Sequence, residues 1–245
     1  MTKFLRSEDV ARVLEHQTIL IGSLNFYRKQ CEADYIGDSQ DGVYRAIIRD
    51  NELSYEEKEH LFKIGSERNA VLDHYPEPGE YVPPPIATIL NGASIGMKTN
   101  AFVFCASIGD PTTIYSSWKH RMSESGMPPY DAALKINNIH ALANDIYKLG
   151  IIAKGGKRMS SIFFAPKVFE VRYDDSPIII NNPLDELFDY SAKRKIYSWQ
   201  KEVRIFFELN LPPHDYLSFP EEKMVIILPN IRKHFKLLWK NDNKA

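Results

Sequence analysis

The chain has 245 residues, of which 44% are hydrophobic and 26% are charged, and its formal net charge is -1. This composition indicates a globular protein with one substantial core, and we expect residues 1–245 to form a single domain. The small net charge excludes a global field that would draw the chain to nucleic acid or to a membrane.

The cysteines and the apolar runs indicate a reducing compartment. Cys31 and Cys105 lie in unlike contexts without the spacing of a metal site or a disulfide scaffold. The first residues lack the apolar core of a secretory signal, and no apolar run approaches the ~20 residues that span a bilayer. We therefore expect a cytoplasmic protein with no membrane segment and no metal.

The first hundred residues predict alternating strands, helices and turns. Residues 3–6 predict a short strand, and Ser7 predicts the N-cap of a helix that ends near His16. Residues 18–28 are β-rich and predict a core strand leading to a polar turn. Three further segments are interpreted as a turn, a charged helix and a proline-dense surface excursion, at residues 36–42, 54–67 and 75–85.

The middle of the chain predicts a buried strand followed by a helix. Residues 100–107 are apolar up to Ser107, whose hydroxyl either belongs to a site or caps the next turn. An aromatic segment with His120 follows, and His120 is interpreted as a surface group or an acceptor contact. Residues 130–149 have apolar positions at helical spacing and predict a helix that ends at Gly150.

The last third predicts several strands and a terminal helix. The glycine-rich basic segment 154–158 lacks P-loop spacing and is interpreted as an exposed hairpin tip or a phosphate contact. The basic tract 193–195 is expected to be exposed. The remaining segments predict strands at 162–173, 178–180 and 224–229, and a basic amphipathic helix at 231–239.

The segment 197–207 carries the clearest chemical signal. Gln200 and Glu202 directly precede apolar residues that alternate along the chain at positions 203, 205 and 207. The alternation predicts a half-buried strand with an amide and a carboxylate at its entry. Q-x-E is a short motif, so a solvated strand entry with an ordinary Glu–Arg pair is the alternative.

Three motifs in chain order resemble the Arg, Ser, Gln/Glu-x-Glu layout of ADP-ribosyltransferases. They are K-F-L-R at 3–6, C-A-S at 105–107 and W-Q-K-E-V-R at 199–204. More closely, they resemble a broad ADP-ribosyltransferase-like family of bacterial toxin and phage-defence proteins with a W-x-x-E-x-R signature. That family usually has Glu where this chain has Gln200, and the Ser-Thr-Ser motif of arginine-using transferases is reduced here to Ser107. The resemblance implies an α+β fold, a split β-sandwich of two small sheets flanked by helices.

The resemblance implies a mono-ADP-ribosyltransferase that uses NAD as its substrate. Glu202 would stabilise the ribosyl cation that forms as nicotinamide leaves, and Gln200 would orient the acceptor. Ser107 would help to hold the glutamate. The NAD phosphates would lie near Arg6, with Lys3 as the alternative contact.

Aromatic side chains are expected to stack on nicotinamide or on an acceptor base, and the candidates are Tyr27, Trp118 and Tyr197. Basic segments interleaved with these aromatics and Trp199 favour RNA over protein as the acceptor. A toxin of this kind would have an antitoxin partner. The alternatives are a non-catalytic nucleotide-binding or regulatory module of the same fold and an NAD glycohydrolase.

Overall fold

The computed structural model describes residues 1–29, 43–48, 70–72, 94–98, 101–124, 126, 128–174, 178–180, 191–210 and 222–241. Within these ranges the fold is α+β, with an open antiparallel sheet of nine strands and four α-helices. A four-stranded sheet and a pair of short parallel strands accompany them.

The strands in chain order are β1 (Thr2–Leu5), β2 (Thr18–Ser23), β3 (Val43–Ile48), β4 (Ala70–Leu72), β5 (Ser94–Lys98), β6 (Phe102–Ser107), β7 (Ala132–Ile136), β8 (Ile151–Ile152), β9 (Lys167–Glu170), β10 (Arg172–Tyr173), β11 (Ile178–Ile180), β12 (Ala192–Lys193), β13 (Glu202–Phe207), β14 (Lys223–Ile227) and β15 (Phe235–Lys240). The helices are α1 (Ser7–Leu14), α2 (Leu24–Lys29), α3 (Pro111–Glu124) and α4 (Ile139–Leu149). Short 3₁₀ helices cover Met159–Ser161, Lys195–Gln200 and Ile231–His234.

Strand β6 lies at a branch point of the nine-stranded sheet. β13 pairs with all of β6, from Glu202 opposite Ser107 to Phe207 opposite Phe102. A strand has two edges, so β1 and β2 share the other edge, with β1 at Ser107 and β2 at the Phe102 end. β1 continues into β7 and β15, whereas β2 continues into β14 and β8. The sheet therefore splits beside β6, and Glu202 lies at the end where β1 branches off.

Helices α3 and α4 cover opposite faces of the sheet. The largest core cluster contains Ile139, Leu142 and Ile146 of α4 together with alternate residues of β6, β7 and β13. A second cluster joins Ile114, Trp118 and Met122 of α3 to Phe4 and Ala133. β13 is buried along its whole length, because one face lies in the largest cluster and Phe206 on the other face packs with Leu24 and Val103 in a third cluster. The expectation of a half-buried strand is therefore wrong.

Two predicted helices are strands over part of their length. Residues 132–136 form β7, which pairs with β1 on one side and β15 on the other. The helix begins only after Asn138, whose side chain accepts a hydrogen bond from the Ala141 N–H and caps α4. The segment predicted as a terminal helix is a 3₁₀ turn followed by β15, because pairing with β7 satisfies its backbone. The strand predicted at 224–229 is confirmed over most of its length as β14.

The predicted strand at 18–28 ends early, because Ser23 caps a helix. The Phe26 N–H donates to Ser23 Oγ at 3.0 Å, and α2 follows. Helix α1 is confirmed, although its cap residue is Arg6 and Ser7 is its first residue. The structure also confirms strands within the segments predicted at 3–6, 100–107 and 162–173, as β1, β6 and β9 with β10, together with the strand at 178–180 and the exposed tip at 154–158. The predictions for 36–42, 54–67 and 75–85, and Cys31, lie outside the described residues.

Candidate functional site

The Q-x-E motif lies at a sharp reversal of the backbone. The 3₁₀ helix Lys195–Gln200 ends at Lys201, which adopts the left-handed conformation with φ 42°. The Lys201 carbonyl accepts a hydrogen bond from the Ile108 N–H at 2.8 Å, which holds the turn against the end of β6. The next residue, Glu202, begins β13. This reversal brings Gln200 and Glu202 to the wall of the same cavity.

That cavity, called here the Glu202 cavity, has a volume of about 90 Å³ and lies where β1 branches from β6. Its lining combines the Q-x-E motif with residues from β1, β6, β12, α2 and α3. The lining residues are Thr2, Lys3, Phe4, Tyr27, Cys105, Ala106, Ser107, Trp118, Tyr130, Lys193, Gln200 and Glu202. The structure thus brings together five of the six predicted site residues, all except Arg6.

Arg6 lines a larger neighbouring cavity, called here the α1 cleft, with a volume of about 640 Å³. Its lining includes the basic residues Arg12 and Lys223 as well as Arg6. Arg12 is paired with Asp9 at 2.8 Å. The two cavities are neighbours, because Lys3, Phe4, Tyr27 and Tyr130 line both of them.

Glu202 is held between two buried cations. Its Oε1 is 2.5 Å from Arg204 Nε, and its Oε2 is 3.0 Å from Lys193 Nζ. Burial alone would raise the pKa of Glu202, but the charges of Arg204 and Lys193 lower this pKa well below its ordinary value. The carboxylate is therefore ionised at neutral pH while it is only 7% exposed.

Lys193 also fixes the orientation of Gln200. Lys193 Nζ donates a hydrogen bond to Gln200 Oε1 at 2.6 Å. An ammonium group only donates, so the amide oxygen must face Lys193 and the amide nitrogen must face away from it. Gln200 Nε2 is buried and has no hydrogen-bond partner among the residues that the structure describes. Trp118 Nε1, in the same cavity lining, is the second such donor.

The other predicted residues are held by backbone pairing or packing. Ser107 is 5% exposed and is paired across the sheet with both Thr2 and Glu202. Tyr27 packs so tightly against Gly22 that a Cβ at position 22 would lie 2.8 Å from its ring. Burial raises the pKa of Cys105 strongly, which keeps this thiol protonated and makes it a poor nucleophile.

Lys3, the alternative to Arg6, lies in the lining of both cavities. Its Nζ donates to the Cys105 carbonyl at 2.8 Å and lies 4.9 Å from the centre of the Phe104 ring. Burial lowers the pKa of Lys3. Lys3 therefore lines the same cavity as Glu202, whereas Arg6 lines only the α1 cleft.

Lys193 and Tyr173 were not anticipated as residues of the site from the sequence, and Arg204 was anticipated only as the partner in an ordinary Glu–Arg pair. Lys193 is 4% exposed, so the expectation of an exposed basic tract at 193–195 is wrong at its first residue. Tyr173 Oη accepts the Glu202 N–H at 2.8 Å. The sequence indicates the position of Arg204: residues two apart on a strand share a face, so the W-x-x-E-x-R motif places this arginine beside Glu202. No sequence pattern indicates that Lys193 belongs to the site, because β12 is brought there by its pairing with β10.

The comparisons with known proteins are negative: no family model, no curated protein and no solved structure matches the chain significantly. Among the described ranges, no helix is long and apolar enough to cross a membrane. The same part of the chain contains no group of three or more His, Cys, Asp or Glu side chains placed to hold a metal ion.

Proposed function

We propose that the chain is an NAD-dependent mono-ADP-ribosyltransferase with an ADP-ribosyltransferase-like fold. The observation that carries this proposal is an ionised, buried Glu202 at the wall of a small cavity. Four residues of that wall also line a larger cleft, which carries the basic residues Arg6, Arg12 and Lys223. A fixed carboxylate stabilises a cation that develops next to it, and cationic side chains suit a diphosphate.

In this proposal, the nicotinamide ring of NAD enters the Glu202 cavity, the ribose lies next to Glu202, and the diphosphate extends into the α1 cleft. The bond between the ribose C1′ and the nicotinamide nitrogen breaks, and its electron pair leaves with nicotinamide. An acceptor nucleophile then forms a bond to C1′ and releases its proton to water, because the Gln200 amide is no general base. Glu202 stabilises the positive charge that builds up on the ribose.

Glu202 retains acceptor capacity for this role. A carboxylate offers about four lone-pair positions. Arg204 and Lys193 occupy two of them, and the Cys105 thiol provides a further hydrogen bond. One position then remains for a ribose hydroxyl.

Two observations favour the alternative functions. The two cations around Glu202 neutralise much of its charge, which favours a non-catalytic nucleotide-binding module. The Gln200 amide oxygen already accepts a hydrogen bond from Lys193, so this oxygen does not serve to orient a macromolecular acceptor. That second observation favours an NAD glycohydrolase, in which water is the acceptor.

The acceptor is proposed to be RNA or protein. The argument for RNA depended on exposed aromatic and basic residues, but Trp118, Tyr197 and Lys193 are buried. RNA therefore loses its advantage from stacking, while the exposed basic tip with Lys154, Lys157 and Arg158 remains as a basic surface. A role as a toxin or phage-defence effector with an antitoxin partner stays a proposal from the family resemblance.

The test follows nicotinamide release and label transfer from NAD labelled in its ADP-ribose part, with purified protein and cell lysate. Glu202→Asp keeps the charge between Lys193 and Arg204 but withdraws the carboxylate by one methylene. We expect this change to lower kcat by about 100-fold, with NAD affinity changed only a few-fold. Glu208→Asp, at a partly exposed ion pair of 3.9 Å, is the matched control and should match wild type.

The destination of the label separates the functions. Label that is sensitive to RNase identifies RNA as the acceptor, and label that is sensitive to protease identifies protein. Nicotinamide release without labelled polymer identifies a glycohydrolase, and NAD binding without release identifies a binding module. A protein that neither binds nor cleaves NAD contradicts the proposal in every form.

A further inference from the structure

We infer that Trp118 and Gln200 recognise the carboxamide oxygen of nicotinamide through their side-chain N–H groups, with Lys193 as the residue that positions Gln200. The inference rests on the proposed function for the identity of the ligand. It assigns Gln200 to the leaving group, whereas the family resemblance assigns that position to the acceptor. Four observations on the Glu202 cavity support it.

The first observation is that two buried donors lack an acceptor. Trp118 and Gln200 are 9% and 2% exposed, and neither Trp118 Nε1 nor Gln200 Nε2 has a partner among the described residues. A buried donor without an acceptor has lost its hydrogen bonds to water without replacement, so native proteins rarely retain one. Two of them in the lining of one cavity indicate that a ligand atom supplies the acceptor.

The second observation is that the orientation of the Gln200 amide is determined by Lys193. Exchanging the oxygen and nitrogen of the amide would place two donors, Nε2 and the Lys193 ammonium, against each other at 2.6 Å. The buried Lys193 is itself held by Glu202. The Gln200 N–H groups therefore stay on the side opposite Lys193.

The third observation is that the Trp118 indole is held on both sides. Its ring packs edge-to-face against Trp199 at 4.7 Å and against Tyr130 at 5.2 Å between ring centres. These contacts restrict the direction of the indole N–H, since an aromatic ring in such a cluster has few alternative rotamers. A rigid donor discriminates between ligands by whether they offer an acceptor.

The fourth observation is the chemical character of the whole lining. The lining includes two donors without an acceptor, Trp118 Nε1 and Gln200 Nε2, and one acceptor group, the Glu202 carboxylate. A ligand that fits has both a carbonyl oxygen and hydroxyl groups. Nicotinamide riboside has both, in its carboxamide and its ribose.

The first experiment needs no substitution. Binding of nicotinamide and of 3-methylpyridine, which has the same ring without the carbonyl, is measured by titration while the indole ¹⁵N–H signals are followed by NMR. We expect nicotinamide to bind at least about tenfold more tightly, and to shift the Trp118 signal. Equal affinity for the two ligands, or an unmoved Trp118 signal, overturns the inference.

The second experiment uses conservative variants. Trp118→Phe removes the indole N–H and keeps an aromatic ring, and Gln200→Glu keeps an oxygen for Lys193 but has no N–H. Each should lower the preference for nicotinamide over 3-methylpyridine about tenfold, as should Lys193→Met, which lets the Gln200 amide turn. Phe164→Leu changes an exposed aromatic residue outside the cavity lining and is the control that should keep the preference. An unchanged preference in both Trp118→Phe and Gln200→Glu overturns the inference.

These results are separable from the fate of the proposed function. If nicotinamide is preferred and Trp118 responds, the recognition stands even when NAD is not cleaved. If NAD is cleaved but the preference is absent, the proposed function stands and the recognition by Trp118 and Gln200 falls.

Discussion

At the scale of single residues, Glu202 is important both for the proposed chemistry and for the stability of the fold. Its carboxylate lies between Lys193 and Arg204, whose side chains are 3% and 1% exposed. Such a pair is costly to bury, and it is more costly still to break by removing one partner. Any substitution that deletes the charge of Glu202 therefore acts on folding as well as on catalysis.

The change Glu202→Gln should lower the free energy of unfolding by about 3–5 kcal/mol, because it leaves two buried cations without their carboxylate. Urea denaturation measures this loss. Glu208→Gln, at a partly exposed pair with Lys167, is the control and should change stability by less than about 1 kcal/mol. The double change Lys193→Met and Glu202→Gln should recover part of the lost stability. The interaction free energy between the two positions, from the double-mutant cycle, should be about 1 kcal/mol or more. A Glu202→Gln protein as stable as the wild type would contradict the presence of this buried ion cluster.

At the scale of elements, the turn at Lys201 determines how the site faces its cavity. The 3₁₀ helix before it carries Gln200, and β13 after it carries Glu202. Between them, Lys201 takes φ 42° and ψ 53°, a left-handed conformation that costs a residue with a Cβ about 1–2 kcal/mol. Two strong anchors, the pairing of β13 with β6 and the Ile108–Lys201 hydrogen bond, hold this conformation.

The change Lys201→Val should destabilise the fold by about 1–3 kcal/mol, because a β-branched side chain strongly disfavours positive φ. Lys201→Gly is the matched variant and should stay within about 1 kcal/mol of the wild-type stability, since glycine adopts this conformation without a steric cost. Urea denaturation of both variants provides the comparison. Equal stability of the valine and glycine variants would show that the left-handed turn is absent in solution.

Whether the prediction of an element was confirmed or wrong depended on which strands lie beside that segment in the sheet. Residues 100–107 and 162–173 were predicted as strands, and their apolar or alternating patterns permit little else. Residues 130–149 have helical spacing throughout, yet residues 132–136 form β7 because β1 and β15 pair with both of its edges. The same pairing turns residues 235–240 into β15 instead of a helix. Local periodicity contains no information about such distant partners.

At the scale of the whole molecule, the stability should depend on pH through carboxylates with lowered pKa. Arg204 and Lys193 lower the pKa of Glu202 against the opposing effect of burial. A hydrogen bond from Lys233 and then one from His234 lower the pKa of Asp145, and bonds from the Thr113 N–H and hydroxyl lower that of Asp110. In each case the folded state binds its proton less readily than the unfolded chain, so the unfolded chain takes up protons first in acid.

The contribution of these three groups to the free energy of unfolding should therefore be fully present and independent of pH near neutrality, and it should fall as the pH drops below about 4.5, the ordinary pKa of Glu. Urea denaturation at pH 7, 5 and 3 measures the decline. Asp145→Asn should make the decline of the unfolding free energy with falling pH shallower, since one carboxylate no longer contributes to that decline. Stability that is constant or rises between pH 5 and pH 3 would contradict the prediction.

The sequence by itself determined that the Q-x-E pair lies at the entry of a strand, because the alternation of residues 203–207 is a local pattern. The α+β class and the candidates Glu202, Gln200, Ser107, Tyr27 and Trp118 were implied by the family resemblance, and the structure agrees with the class. Only the tertiary structure decided that Lys193 is buried, that it orients Gln200 and that Arg204 and Lys193 enclose Glu202. The physical reason is that burial and ion pairing depend on which strands meet: β12 is positioned by its pairing with β10, and β13 by its pairing with β6, which lies much earlier in the chain.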